Sequence, residues 1–263
     1  MGVPNRCHQQ DIWIDSPCGR MFSRTWMCID SSTKPPIILF HDSLGCVELW
    51  RDFPDKLCMI TGRTVIAYDR FGFGRSDVHP GDWSARFIRD EAEHYFPLVK
   101  DSLRIDTFTA FGHSVGGGIA AHCAAHFPEQ CQFLITESAQ AFVEGKTLQG
   151  IRAAQTAFEA PGQLERLKKY HGEKAAWVLQ AWTRTWQSEA MRDWSLESAV
   201  HAISCPTLAI HGELDDYGSE CHAQRIGALA GDLAQLLLIE NCGHVPHRER
   251  EELVLKTVAQ FLR

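Results

Sequence analysis

The segment of this chain best suited to chemistry is Gly112-His113-Ser114-Val115-Gly116, set between an apolar β-like run (Thr107 to Phe111) and a Gly/Ala-rich helical run (Gly116 to His126). A strand that turns sharply into a helix lifts a serine oxygen clear of its sheet, and glycines two residues to either side let the backbone pass without Cβ clashes. With 20 glycines in 263 residues, the pattern alone turns up by chance in about one such chain in ten, so its context and partners carry the inference. A serine hydroxyl near neutral pH attacks poorly, so a nucleophilic Ser114 needs a base, and the base needs an orienting acid. Two later segments offer them. The run Pro206 to Ile210 leads into His211-Gly212-Glu213-Leu214-Asp215-Asp216, and the run Gln235 to Ile239 leads into Asn241-Cys242-Gly243-His244. Glu213 and Asp216 compete with Asp215 for the acid, and His113 and His247 compete with His244 for the base.

Apolar runs at Ile37 to Phe40, Thr64 to Tyr68, Thr107 to Phe111, Phe133 to Thr136, Thr207 to Ile210 and Gln235 to Ile239 read as strands. Helix-like segments lie between them, at Ser84 to Leu103, Gly116 to His126, Ser219 to Ala230 and Glu249 to Leu262. Continuous apolar strands alternating with helices predict a mostly parallel sheet flanked by helices on both faces, an α/β fold. Asp11 to Asp30 alternates and reads as one or two antiparallel strands, closed by the turn-rich Ser31 to Pro36. The alternation breaks between Ala139 and Cys205, a helical stretch carrying Trp177, Trp182, Trp186 and Trp194. The domain plan is therefore a core in two parts, 1–140 and 203–263, with a helical cap at 141–202 divided near Gly145, Pro161-Gly162 and Gly172.

Composition narrows the function. A net charge of −7, with no run of Lys and Arg to track phosphates, argues against nucleic acid. No stretch reaches the roughly 20 apolar residues of a membrane span, and the N-terminus has no apolar signal core. The ten cysteines show no CxxC pair and no zinc-like spacing, which reads as reduced thiols. A cytoplasmic protein acting on a small-molecule substrate fits these features. Nothing in them fixes an oligomeric state.

The order of serine, acid and base segments, each after a strand, resembles the α/β-hydrolase fold family over almost the whole chain. Asp69-Arg70-Phe71-Gly72-Phe73-Gly74-Arg75-Ser76-Asp77 is similar to that family's turn after its fourth strand. The resemblance implies Ser114 as nucleophile, Asp215 as acid and His244 as base, with no cofactor and no metal. It also implies an oxyanion hole from the N–H of Val115 and, in the loop His41-Asp42-Ser43-Leu44-Gly45, the N–H of Ser43. Here the chain departs from the pattern, because Asp42 replaces the usual glycine. Its carboxylate is expected to bond its own loop, with substrate contact or water positioning as the alternative.

Gly72-Phe73-Gly74 is not a dinucleotide loop, since Asp77 stands where the last glycine of that motif belongs. Trp182 and Trp186, four apart on one helical face, either pack the cap onto the core or line an apolar substrate pocket. Cys242 reads as a small core residue. The expected activity is hydrolysis of a carboxylic ester or related acyl bond of a small apolar substrate. Lactone opening and carbon–carbon cleavage of ring-fission products are alternatives, and a non-catalytic ligand receptor on the same fold is the alternative of another class. A serine at the elbow argues against dehalogenase chemistry, which needs a carboxylate there.

Overall fold

In the computed structural model, which describes residues 7–28, 34–81 and 83–263, the strands alternate their side chains between two buried faces. Ile37 and Leu39 enter one core while Ile38 and Phe40 enter the other. That is why the run is apolar throughout instead of every second residue. Each such side chain contributes about 1.5–3 kcal/mol relative to exposure.

Eight strands form one sheet: β1 (His8–Ser16), β2 (Gly19–Met27), β3 (Ile37–Phe40), β4 (Val65–Tyr68), β5 (Phe108–His113), β6 (Cys131–Glu137), β7 (Thr207–Gly212) and β8 (Ala234–Ile239). Their order is β1-β2-β4-β3-β5-β6-β7-β8. β1 pairs antiparallel with β2, and β2 with β4; every other pairing is parallel. The strand end and turn expected at Ile29 to Thr33 lie outside the described residues.

The helices are α1 (Phe53–Thr61), α2 (Phe87–Asp90), α3 (Phe96–Ser102), α4 (Val115–His126), α5 (Gly145–Phe158), α6 (Gln163–His171), α7 (Ala175–Trp186), α8 (Glu197–His201), α9 (Cys221–Ala230), α10 (Pro246–Glu249) and α11 (Glu251–Phe261). α1 and α11 cover one face, burying Phe53, Leu57, Val254 and Val258 there; α3, α4 and α9 cover the other with Phe96, Ile119 and Ile226.

Three details differ from the sequence reading. The segment from Ser84 becomes helical only at Phe87, and a π turn at Glu91–Tyr95 interrupts it. The helix expected from Glu249 is broken at Arg250, which separates α10 from α11. β8 is an edge strand, so Leu236 and Leu238 remain exposed and its apolar run is not covered on both sides.

The stretch between β6 and β7 carries α5 to α8. Gly145 opens α5, Gly162 caps the start of α6 and Gly172 its end. All ten cysteines are free. The thiols of Cys7, Cys28 and Cys58 nevertheless meet, with Sγ–Sγ distances of 3.1 and 3.2 Å. They come from the residue before β1, the residue after β2 and the middle of α1, so sequence spacing does not reveal the group.

Candidate active site

β5 and α4 meet at Ser114 in a turn too tight for ordinary backbone. Ser114 adopts φ 55° and ψ −125°, a left-handed conformation costing about 1–3 kcal/mol, held because both flanking elements are fixed. Its N–H donates to the Glu137 carbonyl at 2.8 Å, which ties the turn to β6. The glycines are sterically required: a Cβ on Gly112 would stand 1.9 Å from the Gly116 carbonyl oxygen, and one on Gly116 2.0 Å from that of Phe40. Val115 opens α4, so its N–H has no acceptor within the helix and lies at the positive end of the helix dipole.

Asp215 follows β7 and is fully buried. Its Oδ1 accepts from the Tyr217 N–H at 2.7 Å, and both oxygens stand 2.8 Å from His244 Nδ1. His211 Nε2 lies 3.5 Å from Oδ2 on the far side. Its neighbours in sequence are elsewhere: Glu213 accepts from the Asn241 N–H, and Asp216 is exposed. Burial alone would raise Asp215, but the imidazoles of His244 and His211 outweigh it and hold the carboxyl below its ordinary range. Burial pulls His244 down in turn, yet Asp215, with Asp42 and Glu137 beyond it, keeps the imidazole above its ordinary value.

The other two histidines do different work. His113 Nε2 donates to the main-chain carbonyl of His244 at 2.8 Å. His247 Nδ1 donates to Glu137 Oε2 at 2.6 Å, in a buried pair. Burial pushes His113 down to about 4, so it stays neutral as that donor. His113, Glu137 and His247 have donor atoms close enough to share a metal ion. Their hydrogen bonds to one another and to the His244 carbonyl already account for the grouping.

A cavity of about 230 Å³ opens above Ser114 and His244. Asp42, Ser43 and Leu44 form one wall. Opposite, α7 supplies Trp182 and Trp186, and Tyr217 fills the corner with its ring 4.7 Å from His244 and 5.8 Å from Trp182. Ser114 and His244 line the same cavity without a hydrogen bond between them. Trp177 stands apart, packed against Phe73 and Trp83 and over Gly72, so Gly72-Phe73-Gly74 is a turn clamped by α7.

Asp42 departs from the expected role. Its main-chain carbonyl, not its carboxylate, ties the loop, accepting from the Gly45 N–H, His41 Nδ1 and Arg70 Nη2. Asp42 lines both this cavity and a smaller pocket beside it, with its Oδ1 over the Cα of Gly45. Sequence reasoning also missed Gln140, Thr147, Ile151, Tyr217 and Val245 on the cavity wall, because residues distant in the chain meet there only after long-range folding.

The fold and this arrangement define an α/β-fold hydrolase. The chain belongs to the alpha/beta hydrolase fold family, whose model matches residues 35–194. It is 29% identical over 259 residues to the 2-hydroxymuconate semialdehyde hydrolase of Pseudomonas sp. (strain CF600), covering 89% of this chain and 88% of that one. It is 31% identical over 126 residues to the 1-acylglycerol-3-phosphate O-acyltransferase ABHD5 of Mus musculus, covering 46% of this chain and only 35% of the length of that relative. Among solved structures, the enol-lactonase from Burkholderia xenovorans LB400 superposes with a TM-score of 0.72 at 18% identity, over 95% of this chain and 99% of that one. Among the described residues, no helix is long and apolar enough to cross a membrane.

Proposed function

We propose that the protein is a serine hydrolase that cleaves a carboxylic ester or related acyl bond of a small apolar substrate. The observation that carries this is the imidazole of His244, held by buried Asp215 at 2.8 Å on the same cavity wall as the strained Ser114. His244 Nδ1–H on Asp215 leaves Nε2 as the free base. Substrate binding brings the Ser114 hydroxyl within hydrogen-bond reach of it, a contact that is commonly loose before the substrate is bound.

His244 takes the Ser114 proton as Oγ attacks the carbonyl, and the amides of Val115 and Ser43 hold the tetrahedral oxyanion. His244 then gives the proton to the leaving alcohol. Water, activated by the same imidazole, attacks the acyl-enzyme and regenerates Ser114. Asp215 fixes the tautomer and stabilises the imidazolium throughout. The helices at 141–202 act as the cap that shapes the substrate cavity.

A second reading is lactone opening or hydrolytic carbon–carbon cleavage, favoured by the nearly full-length match to a semialdehyde hydrolase. p-Nitrophenyl butyrate turnover by the wild type and by Ser114→Ala tests the acyl-transfer reading. The variant should lose at least about 10³-fold in kcat. Equal rates would remove Ser114 as nucleophile, and tight ligand binding without turnover would favour a receptor.

A further inference from the structure

From the charge on the walls of the Ser114 cavity, we infer that the part of the substrate filling it is uncharged or cationic, and that Asp42 is the residue that excludes anions. This rests on the reading that Ser114 and His244 act on a substrate held in that cavity.

Twelve residues line the cavity, and among these described residues there is one carboxylate clear of the triad, Asp42, and no Lys or Arg. The Asp42 carboxylate has no hydrogen bond and no ion pair within 4 Å among the described residues. Its Oδ1 folds over the Cα of Gly45, 2.0 Å from where a Cβ would sit, so the side chain lies along the oxyanion loop.

Two guanidinium groups stand behind it, outside the cavity lining; both feel the Asp42 charge, though neither donates a hydrogen bond to the carboxylate. Arg70 is buried, donates to the Asp42 carbonyl and to His41, and lies over the Phe73 ring at 4.3 Å. Arg248 faces a separate small pocket on the far side of Asp42 and donates to the Leu49 carbonyl. The negative charge reaches across the cavity, contributing to the upward shifts of both His244 and Tyr217.

The remaining walls suit an uncharged or cationic group. The rings of Trp182, Trp186 and Tyr217 line the cavity, and aromatic rings tolerate hydrocarbon and attract cations over their faces. Gln140 is buried at the cavity and its amide has no hydrogen-bond partner among the described residues, which makes it a neutral donor and acceptor for an ester or hydroxyl oxygen. A substrate carboxylate here would meet Asp42 with no Lys or Arg on the cavity wall to pair with it and would lose its hydration, at a cost of about tenfold or more in kcat/KM. A ring-fission acid, the substrate class of the carbon–carbon alternative, is an anion of that kind.

The test uses three p-nitrophenyl esters whose three-methylene acyl chains end in carboxylate, tert-butyl or trimethylammonium. For the wild type, kcat/KM should be at least about tenfold lower for the anion than for the neutral ester, with the cation equal to or better than neutral. Asp42→Asn should shrink the neutral-to-anion ratio to within about threefold of unity. High salt should narrow the same ratio in the wild type, a reading that does not depend on the variant folding.

An anion turned over as well as the neutral ester, or a ratio unchanged by both Asp42→Asn and salt, overturns the inference. If no ester is hydrolysed, or Ser114→Ala hydrolyses them at the wild-type rate, the acyl-transfer reading fails instead. Binding of the three esters to Ser114→Ala, followed by tryptophan fluorescence, then reads the charge order without turnover, and an anion bound as tightly as the neutral ester overturns the inference there.

Discussion

At the scale of single residues, the site turns on one imidazole whose proton affinity is set by two opposed effects. Burial drives His244 down and the Asp215 carboxylate lifts it, with a net rise above 6.5. Only neutral imidazole takes the Ser114 proton, so kcat/KM should climb with pH through a midpoint above 6.5 and level off beyond it. Asp215→Asn removes the lifting charge and leaves the burial. Its profile should therefore rise at lower pH than the wild type, on a plateau reduced on the order of 10³–10⁴-fold because the amide also favours the wrong tautomer. A pH–rate series on the two proteins checks this, and an unshifted midpoint would mean that Asp215 does not govern His244. The sequence made Ser114, Asp215 and His244 legible because each follows a strand by a short, glycine-marked turn. It could not show that His211 backs Asp215 or that His113 holds the His244 carbonyl. The second contact spans 131 residues of chain; the first joins residues only four apart, but whether the loop after β7 folds Asp215 back onto His211 depends on packing that the local sequence does not mark.

At the scale of elements, the elbow is a packing problem solved by leaving atoms out. β3 and β5 run parallel with Phe40 beside Gly112, and α4 rises so close to the end of β3 that a methyl group on residue 116 collides with main-chain oxygen. Main chain cannot move aside as a flexible side chain can. Gly116→Ala should therefore lower stability by at least about 2 kcal/mol and displace the Val115 N–H, the proposed oxyanion donor. Gly145→Ala, at the start of α5 with open space around its Cα, should stay within about 0.5 kcal/mol. Urea titrations of the two variants make the comparison, and a Gly116→Ala protein as stable as the wild type would deny the close approach. The parallel strands were legible as short apolar runs because both their faces are buried. β8 misled on burial because a sheet edge can be as apolar as its centre, and the π turn at Glu91–Tyr95 has no sequence mark of its own.

At the scale of the whole molecule, the helices between β6 and β7 and the sheet with its other helices are one packed body, with His171 and His222 bonded across the seam. Trp186, Met191 and Leu196 belong to the same buried cluster as Phe40 and Ile119. Across the seam, His171 accepts from the Gly74 N–H at Nδ1 and donates to the Leu44 carbonyl from Nε2; His222 Nδ1 accepts from the Ala141 N–H. An imidazole that both accepts and donates is uncharged. Burial accordingly lowers His41, His79, His113, His122, His171, His211 and His222. Unfolded, these seven gain protons as pH falls through about 6.5 while the folded protein resists, so acid favours the unfolded chain. Three groups work the other way. Burial raises Asp69 to about 6 and Glu91 to about 7, so the folded state binds their protons first, and His244 is also raised. Seven against three leaves the unfolded state binding more protons, at about 1.4 kcal/mol per pH unit for each net proton. Stability should therefore fall between pH 7 and pH 5. Because His171 and His222 bridge the two parts, urea curves followed by far-UV circular dichroism and by tryptophan fluorescence should move together. A midpoint flat or rising toward pH 5 would contradict the neutral histidines, and a separate transition of the helices between β6 and β7 would contradict the single body.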